Sequence, residues 1–157
     1  MVHKRAACKK ARAHARKASR RDVRHAVTCL VNEARRRHGI GRLHYDGQLK
    51  RAAQRHTRRM LSGHCFSHQC PGEADLSARV AHSGYTRRAH AWALGEDLGV
   101  KHSPLRMVRA WMQSSPHRNV LLGRRYRDAG VGVGWGTPSG GGRGESTFTL
   151  DAGWRQR

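Results

Sequence analysis

Two segments near the C-terminus, AGVGVGW and TFTLDAGW, alternate so strictly that they leave little choice of conformation. Val131, Val133 and Trp135 recur at every second position of the first, and Phe148, Leu150, Ala152 and Trp154 do so in the second. A period of two puts such side chains on one face of a strand, so both segments are expected to be half-buried strands. The glycine-rich GTPSGGGRGE between them reads as the loop of an antiparallel hairpin. It is no phosphate-binding loop, because it lacks the Lys-Ser/Thr ending and a following helix.

Upstream the period changes to that of a helix. Val23, Ala26, Val27, Leu30, Val31 and Ala34 lie on one helical face, with Asp22 as the expected cap and Gly39 as the stop. A second helix is expected from Asp46 to Gly63, with Leu49, Ala52, Ala53, Met60 and Leu61 on its inner stripe and His56 among them. A short third one follows from Asp75 to Ser83, stopped by Gly84. AWALGEDLG alternates again and would place Glu96 on one face with Trp92, Leu94 and Leu98. Ser103 followed by Pro104 is a helix start. Pro116 interrupts that helix, since its ring clashes with the preceding turn and it has no amide donor; Ser115 is the expected cap of the restarted segment SPHRNVLLG. Helices followed by interleaved strands and a closing antiparallel pair give an α+β layered domain.

The length of 157 residues suits one domain. Nine of the 32 Lys and Arg residues fall in residues 1–21, which contain no acid and no long aliphatic side chains to anchor a helix. Residues 1–21 are therefore expected to form a basic, solvated and largely disordered arm, and residues 22–157 the domain. Such an arm could attract anionic polymers, nucleic acid included, but no zinc finger, basic zipper or RNA-binding signature accompanies it. No apolar stretch fits a signal peptide or a membrane span. Cys65 and Cys70 flank a short loop and are expected to form a disulfide, a bond that persists outside the reducing cytosol. Cys8 and Cys29 could form a second bridge, or Cys29 could be a buried thiol.

Three groups could carry chemistry: His68 in the cysteine loop, Glu96 in the alternating strand, and His117 just after Pro116. Two imidazoles, a carboxylate and a water suit a zinc site with an open position. The same residues could equally be structural, the histidines bonding across a packed loop and Glu96 accepting those bonds.

The order of motifs adds to this reading. CLVNEARRRHGIGRLHYDGQLKRAAQRHTRRM, FSH, the Gly84–Tyr85 turn, GED, AWMQSSPHRNVLL and YRDAGVGVGW together resemble the bacterial branch of the CAP superfamily, that of cysteine-rich secretory, antigen 5 and pathogenesis-related proteins, also called the SCP domain. The resemblance spans about residues 23–154. It implies a three-layer α-β-α sandwich around a small, mainly antiparallel sheet, an extracellular or cell-envelope location, and a central cavity with two histidines and two glutamates, in some members with a divalent metal. His68, Glu96 and His117 match three of these four. Ser114 stands at the position of the second glutamate, and Asp97 replaces the usual asparagine after Glu96. The set of four is thus incomplete, and a divalent metal such as zinc on His68 and His117 is an expectation to test.

The resemblance favours a binding module over an enzyme, with a metal, a lipid, a cell-envelope component or a protein segment in the cleft. A protease-like hydrolase is the alternative, with Ser67, Ser114 and Ser115 as the nearby hydroxyls, although none sits in a Gly-x-Ser-x-Gly elbow.

Overall fold

The computed structural model describes residues 8–157. A four-stranded sheet in the order β1-β3-β4-β2 forms the middle layer, built from β1 (His44–Tyr45), β2 (Ala91–Lys101), β3 (Asp128–Trp135) and β4 (Ser146–Gln156). β2, β4 and β3 pair antiparallel as expected, and the two-residue β1 joins β3 in parallel, which makes the sheet mixed. Five α-helices flank it: α1 (Arg20–Arg37), α2 (Gly47–Ser62), α3 (Leu76–Ser83), α4 (Pro104–Gln113) and α5 (Ser115–Leu121). The chain is an α+β three-layer sandwich.

Alternation along the strands sorts the two faces. Val131, Val133, Phe148, Leu150 and Ala152 turn toward α1 and α4, where they join Val23, Val27, Val31, Met107 and Trp111 in the main core. On the other face β3 offers Asp128 and then Gly130, Gly132 and Gly134, and α2 lies directly on the glycines. A Cβ at Gly130 would come within 2.0 Å of the backbone nitrogen of Lys50, and one at Gly132 within 2.4 Å of the carbonyl oxygen of Ala53. Gln54 and Thr57 secure this contact: Gln54 donates to the Val133 carbonyl and accepts from the Val133 amide, and Thr57 donates to Thr149 Oγ1.

The helix ends follow their capping chemistry. Asp46 accepts from the amides of Gln48 and Leu49, Asp75 from that of Ala78, and Ser103 from that of Arg106. Each bond satisfies an amide that the first turn leaves without a helical partner. Two starts differ from expectation by a few residues. Ser19, not Asp22, caps α1 through the Asp22 amide, and α5 begins at Ser115 with Ser114 as its cap residue.

The basic arm needs a larger correction. Residues 1–7 lie outside the described residues, but residues 8–21 are not a solvated tail, and the boundary expected at residue 22 falls inside α1. Cys8 is bridged to Cys29 in α1. A 3-10 turn at Ala15–Lys17 follows, with Ala15 fully buried in the main core. Backbone bonds hold the segment in place, Ala15 donating to the His102 carbonyl and Leu105 donating to that of Ala11. Small alanines fit a groove already formed by larger residues, so this docking requires no long aliphatic side chain. The second disulfide, Cys65–Cys70, closes the loop after α2 as expected.

Candidate functional site

Glu96 lies at the middle of β2 and faces the α2–α3 layer, because Leu98 on the same side packs on Met60 and Cys70. Its side chain is buried, 1% exposed, against 61% for that of His68, whose Nδ1 stands 2.8 Å from Glu96 Oε1. The Cys65–Cys70 loop presents His68, and Arg79 of α3 anchors that loop by donating to the His68 and Ala74 carbonyls. The same guanidinium donates to Glu96 Oε2. One buried carboxylate thus receives a histidine from the loop and an arginine from the helix.

His56 completes the inner side. It is wholly buried on α2, with Nδ1 2.8 Å from Glu73 Oε1, Nε2 2.9 Å from the Ser67 carbonyl, and Nε2 3.8 Å from Glu96 Oε1. Because Nε2 meets a carbonyl and Nδ1 a carboxylate, both ring nitrogens face acceptors. Asp151 is the direct cross-strand partner of Glu96. Neither of its carboxyl oxygens accepts a hydrogen bond from a donor among the described residues.

Burial, followed by the negative charge of Glu96, pushes the Asp151 carboxyl well above the usual range. A protonated Asp151 with its hydroxyl turned toward Glu96 leaves no unpaired charge between the strands. Burial alone would raise Glu96 too, but the bonds from His68 and Asp151 and the charge of Arg79 outweigh it and hold Glu96 below its ordinary value. The bond to Glu96 in turn raises His68 above its ordinary value, against a smaller opposing effect of burial. Glu96→Gln is therefore expected to bring the His68 imidazole back toward an ordinary titration, read as a midpoint moved to lower pH in an NMR pH series. An unchanged midpoint would show that Glu96 does not govern His68.

Of the three expected residues, the structure joins His68 and Glu96. His117 instead bonds through Nδ1 to Ser114 Oγ at 2.9 Å, within its own helix. α5 covers the opposite face of β2, where Val120 lies against Gly95. Asp97 points to that opposite face as well, buried and with Oδ2 lacking a hydrogen-bond partner among the described residues. No group of three or more His, Cys, Asp or Glu side chains placed to hold a metal ion occurs among the described residues. His68 and His117 each engage Nδ1 with a protein partner.

His56, Glu73, Arg79 and Asp151 are the partners that sequence reasoning missed. His56 did carry a signal, a histidine on the apolar stripe of α2.

The family model of the cysteine-rich secretory protein family, CAP, matches residues 28–149. Among curated proteins the chain is 27% identical over 107 residues to the uncharacterized protein YkwD of Bacillus subtilis, covering 68% of this chain and 40% of that one. It is 30% identical over 106 residues to the uncharacterized membrane protein YlbC of the same organism, covering 66% of this chain and 29% of that one. The chain thus spans less than half the length of either relative. Among solved structures, an extracellular SCP-domain protein from Bacillus anthracis superposes with a TM-score of 0.70 at 21% identity, over 86% of this chain and 43% of that one. An outer surface protein of Borrelia burgdorferi gives 0.68 at 17% identity, over 83% and 90%. At these identities the likeness is one of fold. No helix among the described residues is long and apolar enough to cross a membrane.

Proposed function

The chain belongs to the CAP, or cysteine-rich secretory protein, family, and on that premise we propose that it is an extracellular or cell-envelope binding module whose ligand is received by His68. The observation that carries this reading is an exposed imidazole fixed by a buried carboxylate. With Nδ1 committed to Glu96, the ring is held in one orientation and keeps Nε2 for a ligand. Phe66, two residues away in the same disulfide-closed loop, is 54% exposed and supplies an apolar contact beside that polar one. An amphipathic ligand from the cell envelope, with an acceptor group next to apolar surface, suits the pair. The test is a binding array of purified envelope lipids and glycans against the wild type and His68→Ala. Binding weakened at least ten-fold, with the melting temperature retained, supports the reading; binding indifferent to the substitution removes it.

A hydrolase remains the second reading because Ser114 Oγ and His117 Nδ1 stand 2.9 Å apart. A serine made nucleophilic by that histidine would be labelled by a fluorophosphonate. The binding-module reading expects Ser114 to stay unlabelled, and stoichiometric labelling lost in His117→Ala would favour the hydrolase. Zinc enters the same series: a zinc-dependent rise in the wild-type melting temperature that His117→Ala abolishes would support a metal on His68 and His117, and a melting temperature insensitive to zinc would remove it.

A further inference from the structure

A second feature of the α2–α3 layer lies beside the His68–Glu96 pair and shares Arg79 with it. A cleft of about 510 Å3 opens between the two helices, walled by Arg55 and Arg59 of α2 and by Arg79 and His82 of α3, over a floor that includes Ala52. Arg55 and Arg59 are one helical turn apart, about 6 Å along the axis from backbone to backbone, and the Arg59 guanidinium also donates to the Pro71 carbonyl. Like charges at that spacing repel and weaken a helix, and α2 contains no acidic residue to relieve them. Glu73 is the carboxylate on the wall, and it is occupied by His56 Nδ1 and by the Cys70 amide. Arg79 is paired with Glu96, so Arg55 and Arg59 are the arginines of the cleft without a carboxylate partner among the described residues.

Arg79 adds an independent observation. Its side chain is 8% exposed, and its two terminal nitrogens are committed to Glu96 and to the carbonyls of His68 and Ala74. Its Nε, 3.9 Å from Glu73 Oε1, has no hydrogen-bond partner among the described residues. A buried N–H left without an acceptor costs free energy that an incoming oxygen would recover.

We propose that this cleft is a binding site for a phosphate-class oxyanion, with Arg55 and Arg59 reaching it from α2 and Arg79 Nε donating from the floor side. Guanidinium groups bind such oxyanions through charge-assisted and often paired hydrogen bonds. The turn-to-turn spacing of Arg55 and Arg59 suits linked phosphate groups better than a single ion, since each guanidinium can then take its own oxyanion.

A chain of formal charge +22 attracts any polyanion, so the experiment compares two variants of equal charge. Tripolyphosphate is titrated by calorimetry, at fixed ionic strength, into the wild type, Arg55→Gln/Arg59→Gln and Arg36→Gln/Arg42→Gln. All four arginines are exposed, and the last two lie on a different surface, around α1. The expected result is saturable binding at one site, weakened at least ten-fold by the first pair and less than two-fold by the second. Inorganic phosphate is expected to compete with it at a higher concentration. Equal weakening in both variants would reduce the effect to overall charge and overturn the proposal, as would unsaturable binding or a failure of phosphate to compete.

Discussion

Unfolding free energy is expected to fall as pH rises from about 4 to about 8, and Asp97→Asn is expected to take out a large part of that fall. Burial, and then the charge of Glu96, pushes the Asp97 carboxyl up to about 8 from its ordinary value of 3.8. Between those two values the folded chain holds a proton that the unfolded chain has released, so each increase in pH favours unfolding. Below the window both states are protonated and above it both are ionised, and the slope from this group vanishes. Within it, one such carboxyl contributes about 1.4 kcal/mol per pH unit. Asp151 acts in the same direction, so a residual slope is expected after Asp97 is replaced. An asparagine keeps the shape without the charge, and at pH near 7 the variant should be more stable than the wild type. Denaturant unfolding of both proteins at several pH values across the window reads the difference directly; parallel curves would show that Asp97 is not held protonated by the fold.

Deleting residues 1–18 is expected to lower the melting temperature by roughly 10 °C, the equivalent of about 3–4 kcal/mol in a domain of this size. The Cys8–Cys29 bridge closes a separation of 21 residues, and a cross-link of that length restricts the unfolded chain by about 3 kcal/mol. The rest comes from uncovering the site of Ala15 and from breaking the backbone bonds to His102 and Leu105. Cys8→Ser in the full chain isolates the cross-link and is expected to show most of the loss. A truncated protein that melts with the wild type would mean that this segment does not dock in solution.

The parts of this molecule that sequence made readable are those whose cause is local. Caps at Asp46, Asp75 and Ser103, the stops at Gly63 and Gly84, and three of the four strands follow from residues within a turn or two of one another. β1 is two residues long and exists because β3 offers it an edge, which no periodicity can announce. Arg35 is the sharpest case. It stands in the run RRRH, which reads as a solvated face, yet it is fully buried and donates to the carbonyls of Gly41, Leu121, Gly123 and Tyr126. Only the arrival of α5 and the chain after it distinguishes Arg35 from its exposed neighbours. The candidate site divides along the same line. His68 and Glu96 stand out from the cysteine loop, the alternating strand and the order of motifs, whereas Glu73, Arg79 and Asp151 become partners only when the loop, α3 and β4 meet.

The seat of α2 on the glycines of β3 determines where the molecule can adapt. Two backbones in direct contact leave no layer of side chains between them whose rotamers could change to let the helix slide or lift. His56 and Thr57 ride on that helix, so the inner half of the polar cluster is fixed with the sheet. His68 and Phe66 ride on a loop whose ties are one disulfide, Arg79 and a few side-chain bonds to His56, Glu73 and Glu96, with most of its residues exposed. Adjustment to a ligand therefore falls to the loop, against a helix that stays still. In hydrogen exchange the α2 amides should be among the last to open and those of residues 66–69 among the first, a hinged rim around an unyielding base.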